Sequence, residues 1–256
     1  MTAPPPPSVS LSSEASSQRT VLVTGGSRGI GAAIVRNLAA RGANVGCGYR
    51  SGAERASALA DELGPQVLPV KYELGSQSSA REAVDVLTKA FGRLDAVILN
   101  AGVWDGGLIE TLDHERWWTV IEQNVGSLAH MTRAALPVLR EAEQPSILLV
   151  SSVVGLIGHA GDTAYASAKA AMVGFARSLA KEVGRESIRV NVLAPGFVDT
   201  DMTSAVPDKS RERIYSEAVL GRFGTPEEIA TAAVFLSEDA TYCTGTILSV
   251  DGGWSL

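Results

Sequence analysis

Tyr165 and Lys169 lie four residues apart in a stretch whose apolar spacing predicts a helix, so their side chains share one face. An ammonium group beside a phenol can depress the phenol pKa from its reference value of about 10. Such a phenol can act as the acid that protonates a ketone oxygen while a hydride reduces the carbonyl carbon. None of the other four tyrosines has a lysine at this offset, so the pairing is unique in the chain.

The same chemistry needs a second hydrogen-bond donor to polarise the carbonyl oxygen. Ser151 and Ser152 end a predicted strand at residues 147–151, and Ser152 precedes Tyr165 by thirteen residues. Side chains alternate between the two faces of a strand, so only one of these serines can face the site. A Tyr-x-x-x-Lys pair alone is more often a solvated helix pair, and the motifs around it therefore decide the interpretation.

A glycine-rich turn, TGGSRGIG over Thr24–Gly31, lies between the first predicted strand and its helix. This context is typical of dinucleotide-binding turns. Gly25 permits a tight turn, Gly29 lets the backbone approach a pyrophosphate, and Gly31 allows close helix packing. The N-terminus of the helix adds N–H donors. The spacing G-x-x-x-G-x-G differs from the commoner G-x-G-x-x-G, and a plain strand-to-helix turn is the alternative.

The residues after the second predicted strand favour NADP over NAD. NAD sites usually carry an acidic residue there, about 20 residues past the glycines, whereas this chain has Tyr49 followed by Arg50 and Ser51. Arg28 projects from the glycine turn, so two guanidinium groups are available for a 2′-phosphate. The alternative is that both arginines are ordinary solvated charges.

Short strand patterns alternate with longer helical patterns along the chain, which predicts a parallel sheet covered on both faces. The expected fold is α/β: a single-domain, Rossmann-type, doubly wound parallel sheet of about seven strands. The less regular stretch Pro195–Gly224 is expected to form a loop and helix over the site, and Thr225 is expected to cap the following helix. Strands are predicted at residues 20–24, 43–49, 67–70, 96–99, 147–151, 189–193 and 247–250; helices at 29–41, 53–63, 78–91, 115–140, 165–183 and 226–236.

The composition excludes several classes of protein. Of the 256 residues, 45% are hydrophobic and 20% charged, which allows a large apolar core. The net charge of −6 has the wrong sign for nucleic-acid binding. Residues 1–19 are rich in Pro and Ser and are expected to be a disordered tail without the features of a signal peptide, which leaves residues 20–256 as the NADP-binding catalytic domain.

The sequence also bears on membranes, metals and the cellular compartment. No apolar run is long enough to span a membrane. Cys47 and Cys243 are far apart and have no metal-ligand spacing, and the three histidines share none either, so neither a disulfide nor a metal site is expected. This cysteine usage suits a reducing compartment, and we expect a cytoplasmic protein.

Six motifs, in order from Thr20 to Trp254, resemble those of the short-chain dehydrogenase/reductase family. They are TGGSRGIG, LNAG at residues 99–102, Asn124, Ser152, YASAK at residues 165–169 and PGFVDT at residues 195–200. The resemblance implies that Tyr165 donates the proton, that Lys169 binds the nicotinamide ribose and tunes Tyr165, and that Ser152 rather than Ser151 orients the carbonyl. It also implies that Asn124 holds a water in a proton relay to Lys169.

The resemblance also implies a set of residues that bind NADP(H), and a homotetramer or homodimer. The expected cofactor residues are Gly25, Ser27, Arg28, Gly29, Ile30, Gly31, Tyr49, Arg50, Ser51, Glu73, Leu74, Asn100, Ala101, Gly102, Tyr165, Lys169, Pro195, Gly196, Val198 and Thr200.

The chain departs from the family pattern at a few positions. Leu99 replaces the first Asn of the commoner Asn-Asn-Ala-Gly, and Glu73 stands where many members have Asp beside the adenine. Trp104, directly after LNAG, is either a wall of the substrate pocket or part of a simple turn. His159 lies between Ser152 and Tyr165 and is a candidate to border the substrate.

Within the family the chain is most similar to bacterial 3-oxoacyl-[acyl-carrier-protein] reductases, through APGFVDTDMT, GRFGTPEEIA and TGTILSVDGGW. This implies a ketone on a carrier-bound or small-molecule thioester. Acidic carrier proteins favour a basic docking face, whereas Arg140, Glu141, Arg185 and Glu186 give mixed charge. The alternatives are a general carbonyl reductase, a ketoreductase of polyketide or other secondary metabolism, or a non-catalytic dinucleotide sensor.

Overall fold

The computed structural model describes residues 18–204 and 208–256, and only the backbone of residues 208–210. The expected disordered tail lies outside the described residues, apart from its last two positions. Arg19 packs on the predicted catalytic domain, since its side chain donates hydrogen bonds to Glu238 Oε2 at 2.5 Å and to the Gln144 carbonyl at 3.1 Å.

Seven strands form one sheet in the order β3-β2-β1-β4-β5-β6-β7, and every neighbouring pair is parallel. This order confirms the predicted doubly wound sheet. The chain first builds outward from β1 to β3 and then returns to β4 on the other side of β1. The strands are β1 Thr20–Val23, β2 Asn44–Tyr49, β3 Val67–Lys71, β4 Ala96–Leu99, β5 Ser146–Val150, β6 Arg189–Pro195 and β7 Ile247–Val250.

Helices cover both faces of the sheet. The helices are α1 Gly29–Ala40, α2 Ala53–Leu63, α3 Gln77–Phe91, α4 His114–Ile121, α5 Ser127–Leu139, α6 Val154–Ile157, α7 Thr163–Val183, α8 Asp208–Glu217 and α9 Pro226–Val234. One apolar core packs α1, α2 and α9 against the sheet, and a second packs α3, α5 and α7 against its other face. Each core buries aliphatic side chains from consecutive strands, which explains the continuous apolar runs in the sequence.

The single long helix predicted over residues 115–140 is interrupted. A π-helical segment, Glu122–Gly126, separates α4 from α5 and carries Asn124. A π-helix widens the turn and is frequent at functional sites, but it leaves the apolar spacing nearly unchanged, so the pattern does not reveal it. The predicted cap of α9 is confirmed, since Thr225 and Glu228 form a reciprocal capping box.

The strand order reverses at the connection from β3 to β4, which leaves a crevice at the carboxyl ends of β1 and β4. Ligands of doubly wound folds usually bind in this crevice. The glycine turn follows β1, the LNAG segment follows β4, and Ser152 follows β5, so the predicted motifs lie along one edge of the sheet. Among the described residues, no helix is long and apolar enough to cross a membrane. That part of the chain also contains no cluster of three potential metal ligands.

Candidate active site

The glycine turn adopts a conformation that needs glycine at three positions. Gly25 and Gly29 have φ of +66° and +50°, in the left-handed region that other residues rarely adopt. A Cβ atom on Gly31 would overlap the Gly25 carbonyl oxygen. A side chain at any of these three positions would therefore strain the path from β1 into α1.

Asn100 fixes this turn from the neighbouring strand. Its side-chain amide donates to the carbonyls of Thr24 and Gly25, each at 3.1 Å, while its backbone N–H donates to Thr24 Oγ1 at 3.0 Å. The Ala101 N–H also donates to Thr24 Oγ1, at 3.0 Å. Thr24, which the sequence did not single out, is thus the junction between the glycine turn and the LNAG segment.

The turn has the features that a dinucleotide pyrophosphate requires. Arg28, at the N-cap of α1, makes no capping hydrogen bond with its side chain, and the first turn of α1 carries no acidic residue. The helix N-terminus therefore presents N–H donors and partial positive charge without a competing carboxylate on α1 itself. Next to Gly29 lies the Thr200 side chain, since a Cβ on Gly29 would meet Thr200 Cγ2 at 3.3 Å.

The residues expected at the adenosine end lie on loops at the same edge. Ser27 approaches Gly52, because a Cβ on Gly52 would meet Ser27 Oγ at 3.0 Å. Arg28 and Arg50 are exposed, and Arg50 forms no ion pair with any residue in the described ranges. The other expected residues here are half-buried Tyr49, which ends β2, exposed Ser51, and Glu73 and Leu74, which follow β3.

The segment after β6 contributes from the opposite side. Pro195 ends β6, and Gly196 donates to the Val250 carbonyl at 3.0 Å. Val198 is buried and forms an isolated parallel bridge with Gly224. Thr200, whose N–H donates to Thr203 Oγ1 at 3.1 Å, follows on the path towards α8. The half-buried side chain of Ile30, in the first turn of α1, packs against the first core.

The Ser152 and Tyr165 side chains lie close together, near enough for the Ser152 hydroxyl to lower the pKa of the Tyr165 phenol. Ser152 Oγ also accepts the Val154 N–H at 3.2 Å, which holds the hydroxyl at the start of α6. Ser151 points elsewhere and donates to the Lys169 carbonyl at 2.8 Å. The two serines, which follow β5, thus have different surroundings: Ser152 lies beside Tyr165, and Ser151 bonds to the backbone of α7.

Lys169 is buried beside Tyr165, with its Nζ 5.5 Å from the centre of the phenol ring. The same Nζ donates to the Val150 carbonyl at 2.9 Å. It also lies close to Gly102, since a Cβ there would be 3.5 Å from it. The predicted pairing on one helix face is therefore present, and the ammonium is directed between the ends of β4 and β5.

The pKa of Tyr165 shifts opposite to the sequence expectation. Burial raises it to about 12, the Ser152 hydroxyl opposes this rise, and the nearby Asp162 charge adds to it. Burial lowers the pKa of Lys169 to about 8. On a rise in pH, Lys169 thus loses its charge before Tyr165 ionises, so its attraction does not offset the burial of the phenol. At neutral pH Tyr165 is protonated, as a proton donor must be.

Asn124 ties the π-helical segment to the LNAG loop. Its Nδ2 donates to the carbonyls of Val103 at 2.9 Å and Val120 at 2.8 Å, and its Oδ1 accepts the Val103 N–H at 3.3 Å. The Oδ1 would also meet a Cβ on Gly102 at 2.7 Å. Asn124 and Lys169 thus both lie next to Gly102, and both polar atoms of the Asn124 side chain are already engaged by backbone groups.

Asp162 joins the two loops at the mouth of the site. Its Oδ1 accepts Trp104 Nε1 at 2.7 Å and its Oδ2 contacts His159 Nδ1 at 2.9 Å. His159 Nε2 is in turn 3.2 Å from Arg213 Nη2 on α8. Sequence reasoning weighed Trp104 and His159 separately and missed Asp162, which has no motif of its own; only its position three residues before Tyr165 pointed to it.

Comparisons with known proteins agree with this geometry. The sequence profile of a family described as Enoyl-(Acyl carrier protein) reductase matches residues 25–255. The chain is 41% identical over 239 residues to the 3-oxoacyl-[acyl-carrier-protein] reductase of Chlamydia muridarum, covering 92% of this chain and 96% of that protein. It is 39% identical over 236 residues to the enzyme of the same name from Escherichia coli K12, with the same coverage of both chains.

A solved structure shows the same fold. It is a Serratia marcescens short-chain dehydrogenase/reductase with two Phe-to-Tyr substitutions, and it superposes with a TM-score of 0.87 at 34% identity. The match covers 94% of this chain and 99% of that one. These matches agree with the glycine turn and with the cluster of Ser152, Tyr165 and Lys169. The chain therefore belongs to the short-chain dehydrogenase/reductase family.

Proposed function

We propose that the protein is an NADPH-dependent oxidoreductase that reduces the ketone of a 3-oxoacyl thioester to an alcohol. The observation that carries this proposal is the convergence of the Ser152 and Tyr165 hydroxyls at the carboxyl end of β5, with Lys169 buried beside them. The curated relatives at 41% and 39% identity are 3-oxoacyl-[acyl-carrier-protein] reductases, which supports this substrate class.

Each side chain has a distinct task in this proposal. Ser152 donates to the ketone oxygen and orients it, and Tyr165 donates its hydroxyl proton to that oxygen as negative charge develops there. The reaction consumes one hydride and one proton and converts the C=O group to CH–OH. Lys169 holds the nicotinamide ribose and keeps positive charge near Tyr165 once the phenol has given up its proton. Asn124 holds the loop at Gly102 against Lys169 and orients the relay that returns a proton.

NADPH supplies the hydride when bound. The turn from Gly25 to Gly31 and the N-terminus of α1 would hold its pyrophosphate, and Arg28, Arg50 and Ser51 its 2′-phosphate. Asn100, Ala101 and Gly102 line the crevice at β4, and Pro195, Gly196, Val198 and Thr200 would border the cofactor from the segment after β6. Tyr49, Glu73 and Leu74 would border the adenosine.

Two hydroxyl donors that meet at one point favour a ketone over an enoyl substrate. In ketone reduction the carbon that accepts the hydride bears the oxygen that gains charge, so both donors act on that atom. The description of the matching family names an enoyl reduction instead. A direct comparison of the two substrate types therefore separates the proposals.

The test is a panel of substrates, each incubated with NADPH or NADH while the absorbance of the reduced cofactor at 340 nm is recorded. We expect NADPH to be consumed with acetoacetyl-CoA and acetoacetyl-carrier protein, and little consumption with crotonoyl-CoA. Turnover only with free cyclic ketones would indicate a general carbonyl reductase, and turnover only with crotonoyl-CoA an enoyl reductase. NADPH binding without turnover of any compound would favour a dinucleotide sensor.

The ratio of kcat/KM for acetoacetyl-carrier protein to kcat/KM for acetoacetyl-CoA tests whether a carrier protein is a partner. Charge near the expected docking face is mixed, since Arg140 is held in an ion pair with Glu186 at 2.7 Å. We therefore expect acetoacetyl-carrier protein to have only a modest advantage in kcat/KM over acetoacetyl-CoA.

We also propose a homo-oligomer, a tetramer or a dimer, in the cytoplasm. Trp118 on α4 is 51% exposed, whereas its neighbour Trp117 donates to Thr163 Oγ1 at 3.2 Å. A large exposed aromatic side chain next to an anchored one is typical of an interface. Two free cysteines, Cys47 and Cys243, fit a reducing compartment.

A further inference from the structure

Asp201 lies between two arginines beside the glycine turn. Its Oδ2 is 3.0 Å from Arg55 Nη1 and 3.6 Å from Arg28 Nη1. Arg28 belongs to the turn before α1, Arg55 to the first turn of α2, and Asp201 to the segment after β6. One carboxylate therefore joins the three segments that surround the end of the crevice where the 2′-phosphate is proposed to bind.

The cluster of Arg28, Arg55 and Asp201 contributes little to the stability of the fold. The side chains of Arg28, Arg55 and Asp201 are 63%, 61% and 58% exposed. Ion pairs with this exposure contribute little to folding because solvent screens them. Such contacts are, however, easily exchanged when a stronger anion arrives, since breaking them buries no unpaired charge.

The surroundings leave space for such an anion. Ser27, Arg28 and Arg55 line a cleft of about 420 Å³ between α1, α2 and the start of α9. A third arginine of this cleft, Arg36, is committed to a bidentate pair with Glu62 at 3.0 and 2.8 Å. Arg28 and Arg55, in contrast, contact only the exposed carboxylate of Asp201 among the acidic side chains of the described residues.

We infer that Arg55 is a third arginine of the 2′-phosphate site, beside Arg28 and Arg50, and that Asp201 is a built-in competitor for Arg28 and Arg55. The inference rests on the proposed use of NADPH. The 2′-phosphate carries up to two negative charges and three acceptor oxygens, so it displaces the single carboxylate. The ribose hydroxyl of NADH has no charge and does not displace it. Asp201 thus lowers the affinity for NADPH without affecting NADH, and so sets how strongly the protein prefers NADPH.

The test measures the Kd of NADPH and of NADH for the intact protein by isothermal titration calorimetry at low ionic strength. Asp201→Asn keeps the shape and removes the charge, and we expect the Kd of NADPH to fall about threefold to tenfold with little change for NADH. Arg55→Gln should raise the Kd of NADPH about fivefold and also leave NADH unchanged. In the double variant the gain from Asp201→Asn should shrink, because the two residues share one site.

Asp199→Asn is the matched control. Asp199 lies two residues away on the same segment and pairs with Arg211 at 2.7 Å, not with Arg28 or Arg55. We expect this variant to bind both cofactors as the wild type does. An equal gain in NADPH affinity for Asp199→Asn would mean that general surface charge is responsible, which would overturn the inference.

Two further outcomes distinguish this inference from the function on which it rests. A wild-type protein that prefers NADPH, together with an Asp201→Asn variant of unchanged affinity, would overturn the role of Asp201 and leave the proposed function standing. A wild-type protein that binds NADPH no more tightly than NADH would overturn both.

Discussion

Replacing Tyr165 by Phe is expected to lower kcat/KM for ketone reduction by about 10³-fold, because it removes the hydroxyl that transfers its proton to the ketone oxygen. Phe keeps the ring and its packing, so the fold should be unchanged. Ser152→Ala removes the second donor and should cost about 10²-fold. The measurement is steady-state NADPH oxidation with acetoacetyl-CoA, accompanied by the Kd of NADPH.

Neighbouring residues supply the controls for these variants. Ser151 donates to the Lys169 carbonyl and does not face Tyr165, so Ser151→Ala should retain most of the activity. Tyr242 is fully exposed, and Tyr242→Phe should behave as the wild type. If Tyr165→Phe kept more than about a tenth of the activity, Tyr165 would not be the proton donor.

Lys169 is expected to make NADPH binding depend on pH. With a pKa of about 8, Lys169 is mostly charged at pH 7 and mostly neutral at pH 9. The charged form is the better donor to the ribose oxygens, so the Kd of NADPH should rise about tenfold between these two pH values. Calorimetric titrations of the wild type and of Lys169→Met at several pH values test this.

Lys169→Met removes the titrating group while largely keeping the volume of the side chain. Its affinity should be weaker at pH 7 and nearly independent of pH, and its kcat/KM should fall about 10²-fold. An equal pH dependence in the variant and the wild type would assign the titration to another group.

Deprotonation of Lys169 affects the stability of the fold in the direction opposite to its effect on NADPH binding. A lysine whose folded pKa lies at about 8, below its usual value of 10.5, binds fewer protons in the folded state than in the unfolded state between these pH values. Its contribution to the free energy of unfolding therefore increases as pH rises through this window, while cofactor binding weakens. A loss of NADPH affinity above pH 8 thus cannot be attributed to unfolding caused by Lys169.

Sequence periodicity predicts most of this fold because each strand is a short apolar run and each helix has one apolar face. The predicted strands 96–99 and 247–250 and helix 53–63 agree with the structure at both ends. The π-helical segment Glu122–Gly126 was missed because one widened turn hardly changes the apolar spacing. The short α6 was missed because four residues are too few to show a period.

The site was predicted where a motif marks it and missed where contacts come from separate segments. The glycine turn, Ser152, Tyr165 and Lys169 each lie in a local pattern that the sequence displays directly. Asp162 and the pair of Arg55 with Asp201 depend on loops that approach one another only in the folded chain. The pKa of Tyr165 was expected to fall, but it rises because burial, which depends on tertiary packing, outweighs a lysine that is neutral before the phenol ionises.

The central claim is that the protein transfers a hydride from NADPH to the ketone carbon of a 3-oxoacyl thioester. The most direct test incubates the wild-type protein with acetoacetyl-CoA and NADPH that carries deuterium at both C4 positions, and determines the product by mass spectrometry and NMR. We predict 3-hydroxybutyryl-CoA with a single deuterium at C3. NADPH oxidation without deuterium at C3, or no 3-hydroxybutyryl product at all, would contradict it.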